Sequence, residues 1–218
     1  MQPSYDGIFT WLGEQAEQRN PNKTQPLVVV MDGQEALWNA SRQHFPDNRV
    51  EILDLLHATG YIRKAAALFY TETELQEVFA KFTIGYLLQG QVAMVLTILD
   101  IWGEEAALKG CKKEELRAIR GYIHNNAERM RYDKYLAAGY PIASGVIEGA
   151  CRYVIKDRME RTGMRWTMTG AQTMLELRCV SVNEEWDAFI SFHVTQENQR
   201  LYPMTAANDG SLPLSQAA

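Results

Sequence analysis

An α/β fold carrying an all-helical insertion is what this sequence predicts, and three observations predict it. The run Pro26 to Met31 (PLVVVM) is β-branched, without polar alternation, and reads as a strand buried on both faces. Arg49 to Leu53 is a second strand candidate, and the stretch between the two is helical in pattern, as in a βαβ unit. From His57 to about Ala138 every long segment has helical spacing.

The elements follow in order. Ile8 to Arg19 places Ile8, Trp11, Leu12 and Ala16 at helical spacing, an amphipathic helix. Asn20 to Gln25 is a turn before the first strand, which ends at Asp32-Gly33. Gln34 to Phe45 continues as a helix, and Pro46-Asp47-Asn48 turns the chain into the second strand, which ends at Asp54. Both strands thus end in aspartate, at the edge where ligands of such sheets collect. Tyr61 to Tyr70, Glu74 to Gln89 and Gln91 to Trp102 are apolar helices, and Lys112 to Tyr135 is a more basic helix or pair. Gly139-Tyr140-Pro141 breaks the chain. Residues 58–138 read as an insertion within the α/β unit, with a separate helical domain as the alternative. Ile142 to Arg161 is a long helix that Ser144 could cap, with Ile147, Ala150, Cys151, Val154 and Ile155 as its buried stripe. Gly170 to Asn183 is a further helix. The division is therefore 1–57, 58–138 and 139–202, followed by a small, polar, disordered tail, 203–218.

The bulk composition excludes several classes. At 218 residues and 46% hydrophobic, the chain is long and apolar enough to bury a core, which excludes wholesale disorder. The longest apolar run, Val92 to Leu99, is far too short to span a membrane, and the N-terminus has no leader pattern. Three scattered cysteines, Cys111, Cys151 and Cys179, fit reduced thiols in a cytoplasm rather than a structural zinc site. The net charge of −5 hides an asymmetry: residues 112–165 carry 12 of the 22 basic residues and 7 of the 27 acidic ones, +5 locally against −10 elsewhere. That is a local basic surface on an acidic protein, or a solvated helical face.

Two carboxylates stand out as carriers of chemistry. Asp32, after an apolar strand, is either a turn residue or a metal-binding carboxylate at the sheet edge. Glu148 is either half of an i,i+4 pair with Arg152 or a carboxylate projecting into a cleft, between Gly145 and Gly149. Arg152, Lys156, Arg158, Arg161 and Arg165 follow it, so a metal ion could be held beside a polyanion. Glu148, Arg152 and Lys156 would line one shoulder of the helix. Asp54 and His57 are an N-cap and its first-turn neighbour, an accessory metal site, or a phosphate contact. His44, His124 and His193 have no partners at ligand spacing, and the phosphate-loop, dinucleotide and nucleophile-elbow motifs do not occur.

The strings VVVMDGQEALWNASRQHFPDNRVEILDLLH and NNAERMRYDKYLAAGYPIASGVIEGACRYVIKDRMERTGMRWTMTGAQTMLELR resemble bacterial insertion-sequence transposases of the ISKra type, DDE enzymes distantly similar to the Mutator-like group. The resemblance covers roughly residues 5–202. It implies a ribonuclease H-like fold with a helical insertion before the last catalytic residue. It implies that Asp32 is the second catalytic aspartate and Glu148 the catalytic glutamate, both binding Mg²⁺ or Mn²⁺ in a two-ion site. The cations from Arg152 to Arg165 would contact DNA phosphates at insertion-sequence ends, and a homo-oligomer is left open. Trp166 would stack on strand ends or pack in the core. Asp54 and His57 stand where Mutator-like relatives carry a C-x-x-H pair, with Asp in place of Cys.

The departure lies at the other end. The first aspartate of a DDE site belongs on the opening strand of a three-stranded meander. Here only Asp6 precedes Asp32, in a loop before a helix. The expectation is a partial ribonuclease H-like domain with its first strands missing: a truncated, inactive transposase chain. The alternatives are a DNA-binding or regulatory fragment without catalysis, and a non-functional remnant exposing the edge of the strand Pro26–Met31.

Overall fold

β1 (Val28–Met31) and β2 (Val50–Leu53) are parallel neighbours, with Val28 opposite Val50 and Met31 opposite Leu53. In this computed structural model the described residues run from 5 to 202. The expected tail, 203–218, lies outside them. Between the strands runs α2 (Glu35–His44), completing the βαβ unit that the sequence predicts. Among the described residues the sheet has two strands only. That explains one difference from expectation. Val29 alone is buried in β1, and its neighbours are half-buried, because an apolar strand without a second neighbour cannot be covered all round.

α1 (Asp6–Arg19) packs against α2, but not through the stripe the spacing suggests. Ile8 and Trp11 are more than half exposed, and Phe9 is the buried residue. Phe9 meets the rings of Phe45 and His44, with centroids 5.4 and 6.2 Å away. Gly13, one turn on, faces the His44 carbonyl and lets the two helices approach.

After β2 the chain is helical. α3 (Leu55–Phe69), α4 (Thr73–Leu88), α5 (Val92–Glu105) and α6 (Cys111–Asn125) follow, then a 3₁₀ turn (Ala127–Arg129) and α7 (Tyr132–Ala137). α3 packs on α4 and α6, α5 on α4 and α6, and the 3₁₀ turn on β2. One apolar core includes Val29, Ile52 and Leu53 from the strands, and Ile62, Leu87, Val95, Leu99 and Ile123 from the helices. The inserted helices therefore share the core of the sheet. Between α4 and α5 the chain turns at Gly90, with φ +70°, where a Cβ would overlap the Asp133 carboxylate.

The chain divides into two compact units, one ending at Val146 and one beginning at Ile147. The long helix expected over Ile142–Arg161 is broken into pieces: α8 (Gly145–Ala150), a π-helical stretch (Cys151–Lys156), α9 (Asp157–Met159) and a 3₁₀ turn (Arg161–Gly163). Its expected buried stripe is not buried. Ile147 is 65% exposed, Ile155 39% exposed, and Ala150 and Cys151 are exposed too, leaving Val154 half-buried. Over Cys151–Lys156 the π stretch widens the turn to i→i+5 pairing and takes its residues off a 3.6-residue stripe, whereas Ile147 and Ala150 precede it in α8.

The π stretch is tied to α10 (Met168–Val182). Arg178 reaches across, its Nε donating to the Val154 carbonyl (2.8 Å) and its Nη2 to the Tyr153 carbonyl (2.6 Å). A π-bulge and a side chain inserted into the carbonyl ladder both go with an interrupted helix, and this segment has both. α11 (Trp186–Leu201), not singled out by the sequence reading, follows and packs against α10. Its Trp186, Phe189, Ile190 and Val194 lie at i, i+3, i+4 and i+8, the signal that would have found it.

Candidate functional site

β1 ends at Asp32 and β2 at Asp54, and the register brings the two strand ends side by side. The Asp54 backbone N–H donates to the Met31 carbonyl at 2.8 Å, which extends the ladder to the two aspartates. Asp32 is half-buried, and its Oδ1 accepts from the Gln34 backbone N–H at 2.9 Å, the Asx turn that opens α2. Gly33, between them, lies under the ring of Tyr122, where any Cβ would overlap the aromatic carbons. Tyr122 in turn stacks on Tyr61 with centroids 3.8 Å apart. Burial pushes the Tyr122 phenol up to about 12, and its buried hydroxyl has no hydrogen-bond partner among the described residues.

Asp54 is buried and fully engaged. Its Oδ1 accepts from the Leu56 N–H (3.0 Å), capping α3, and from the Ser144 N–H (3.2 Å). Its Oδ2 accepts from the Ser144 hydroxyl (2.5 Å) and faces His57 Nδ1 at 3.0 Å. Burial alone would raise this carboxyl, but the Ser144 hydroxyl, His57 and the two backbone N–H groups outweigh it and hold the pKa below its ordinary value. Beside this cluster the Leu55 N–H donates to the Ile142 carbonyl at 2.9 Å. The chain thus leaves the sheet edge at Asp54 and returns to the same point at Ser144. Of the readings open for Asp54 and His57, the geometry matches the helix cap with its first-turn histidine. Ser144, expected only as a cap for its own helix, holds Asp54.

Within β2 itself, Glu51 sits between Arg49 (2.8 Å) and Arg129 (2.7 Å). Burial raises its pKa, and the two guanidiniums, Arg129 foremost, lower it by more. Arg129 also lies over the Trp38 ring, 4.3 Å from its centroid.

Glu148 belongs to the second unit, where it is exposed in α8. Arg152, Lys156, Arg161 and Arg165 are exposed as well. Arg161 pairs with Asp157 at 3.7 Å. Arg158 is half-buried, with its guanidinium 5.6 Å from the centre of the Trp166 ring. Trp166 is half-buried and donates to the Met159 carbonyl (3.2 Å), a packing role within its own unit. Glu148 lies in α8 and Arg152 and Lys156 in the π stretch, so the three do not share the i, i+4, i+8 shoulder of one α-helix. Asp6 is the first residue of α1, not part of a strand, and its Oδ1 stands 3.5 Å from His44 Nε2.

Asp32 and Glu148, the two expected metal ligands, lie in separate units. Among the described residues no group of three or more His, Cys, Asp or Glu side chains stands together in a way that could hold a metal ion. Asp54, with both oxygens engaged, leaves Asp32 as the available carboxylate at the sheet edge. No protein-family model, curated protein or solved structure matches the chain.

Proposed function

We propose that this chain is the portion of a ribonuclease H-like DDE transposase that carries the second aspartate and the glutamate. The observation that supports it is the path of the chain. A strand-end aspartate, Asp32, is followed by a helical excursion that closes on Asp54 at Ser144, four positions before Glu148. That order of strand-end carboxylate, insertion and helical carboxylate is the order such an enzyme uses. In this reading Asp32 and Glu148 bind Mg²⁺ or Mn²⁺, an ion that neutralises charge at the attacked phosphate. Arg152, Lys156, Arg161 and Arg165 lie along the DNA backbone and give affinity without sequence reading. Arg158 is held over Trp166 and contributes less. Asp54 and His57 set the end of β2 rather than bind metal.

Two carboxylates are fewer than the three that the chemistry requires, so the chain by itself binds DNA without cutting it. Binding of a duplex oligonucleotide, followed by fluorescence anisotropy over a salt series, tests this. Arg152→Gln with Lys156→Gln is expected to weaken binding and to lower the salt slope by about 2, roughly 0.9 per lost phosphate contact. Binding indifferent to salt and to this pair would overturn the reading. Incubation with Mn²⁺ is expected to leave the DNA intact. Cleavage that Glu148→Ala does not abolish would remove Glu148 from the site. A second reading, a DNA-binding or regulatory fragment without catalysis, is favoured by the exposure of the four cations, and predicts Mn²⁺ binding unaffected by Asp32→Asn.

A further inference from the structure

A polar cleft of about 430 Å³ opens next to the Asp32-Gly33 turn, between α2 and the end of α6. Its volume suits a nucleotide-sized group. Arg42 comes from α2, Asn125 from the last turn of α6, and Arg129 from the 3₁₀ turn beyond. The two arginines differ in state. Arg129 is neutralised by Glu51 at 2.7 Å. Arg42 bonds only the neutral Asn39 Oδ1, at 2.7 Å, and among the described residues it has no ion pair. Arg42 and Asn125 are both exposed. Trp38 lines the same cleft, is 1% exposed, and its buried indole N–H has no hydrogen-bond acceptor among the described residues. Buried donors of this kind are rare and call for an explanation. Among the described residues the acidic side chain lining the cleft is Glu35, which is exposed.

We propose that this cleft binds a phosphate group through Arg42 and Asn125, with a nucleic-acid strand as the source of the phosphate. The recognition chemistry follows from the cleft alone: an unneutralised guanidinium offers a planar fork matched to phosphate oxygens, and a carboxamide adds a neutral donor. The source rests on the transposase reading, because a strand passing Asp32 runs by this cleft. Glu35 opposes the ligand as a like charge.

The experiment uses the full chain in EDTA, so that metal binding by Asp32 plays no part. Inorganic phosphate is titrated while the Trp38 indole resonance is followed by NMR, and a short single-stranded oligonucleotide is titrated by anisotropy. Arg42→Gln is expected to abolish the Trp38 shift, to weaken oligonucleotide binding about five-fold and to reduce the salt slope by about 0.7. Glu35→Gln is expected to tighten binding about two-fold by removing a like charge. Arg152→Gln with Lys156→Gln leaves the phosphate-induced Trp38 shift unchanged, which separates the cleft from the basic segment. A shift with inorganic phosphate, combined with oligonucleotide binding insensitive to Arg42→Gln, would overturn the strand as source. If neither ligand responds to Arg42→Gln, the site itself is overturned, whatever becomes of the transposase reading.

Discussion

Asp54 concentrates more of the local order than any other side chain near the sheet edge. One carboxylate caps α3, fixes Ser144 and orients His57. Removing it leaves buried donors unmatched, so Asp54→Ala is expected to cost about 2–4 kcal/mol, measured by urea denaturation. The acid response follows from two residues. Asp54 and Glu51 have folded-state pKa values below their ordinary 3.8 and 4.5, so the folded state binds fewer protons at these sites. Their stabilisation is complete above those ordinary values and is lost as pH falls through the depressed ones. Stability should therefore be flat from neutrality down to about pH 5 and drop steeply below about pH 4. In Asp54→Asn the drop should be shallower. An equal drop would remove Asp54 from the account. The sequence suggested the cap at Asp54, because D-L-L-H after a strand is a capping pattern. It did not suggest the part of Ser144, since a contact across 90 positions has no local signature.

Among the elements, the interrupted helix after Ser144 departs most from expectation. Its apolar spacing is that of a buried α-helix, yet its residues are exposed and its middle is a π-helix. The residue that bonds this stretch, Arg178, lies in another helix, and nothing in the sequence of 142–161 points to it. Arg178 pins the Tyr153 and Val154 carbonyls, and its guanidinium stands 5.6 Å from the centre of the Tyr153 ring. Arg178→Met is expected to speed amide exchange over Cys151–Lys156 at least several-fold, while exchange in α3 and α5 stays unchanged. Unaltered exchange over the π stretch would show that its shape has another cause. By contrast α3, α4 and α5 were legible, because each carries a dense apolar face that meets the core. α1 was legible as a helix but not in its orientation, which is set by Phe9 and Gly13 against the end of α2.

For the whole molecule, the buried residues divide unevenly. Every residue of the apolar core falls in the unit that ends at Val146, from Val29 to Tyr135, and none of the described residues beyond it is buried. A fragment ending at Val146 is expected to unfold cooperatively on heating, with a midpoint within a few degrees of the full chain's. A broad, featureless transition would mean that the later helices are needed for the core to form. The pairing of strand-end aspartates could be read from local pattern, whereas the concentration of the core in the first unit could not, because the apolar spacing of 142–161 is the same as that of the buried helices.

The base of the helical excursion has a further consequence. Its two ends are tied at one spot by the Leu55–Ile142 and Asp54–Ser144 hydrogen bonds. A path that starts and stops at the same place behaves like a loop with a clamped neck. Lengthening a flexible connection inside it is cheap, about 0.6 kcal/mol for each doubling, while the neck keeps its geometry. Homologous chains are therefore free to differ in the connections between these helices, whereas α4 and α5 keep their length because Leu87, Val95 and Leu99 lie in the core. The D-x-x-H step at the entrance and the serine at the exit should stay in place, a pairing that any set of relatives can confirm or refute.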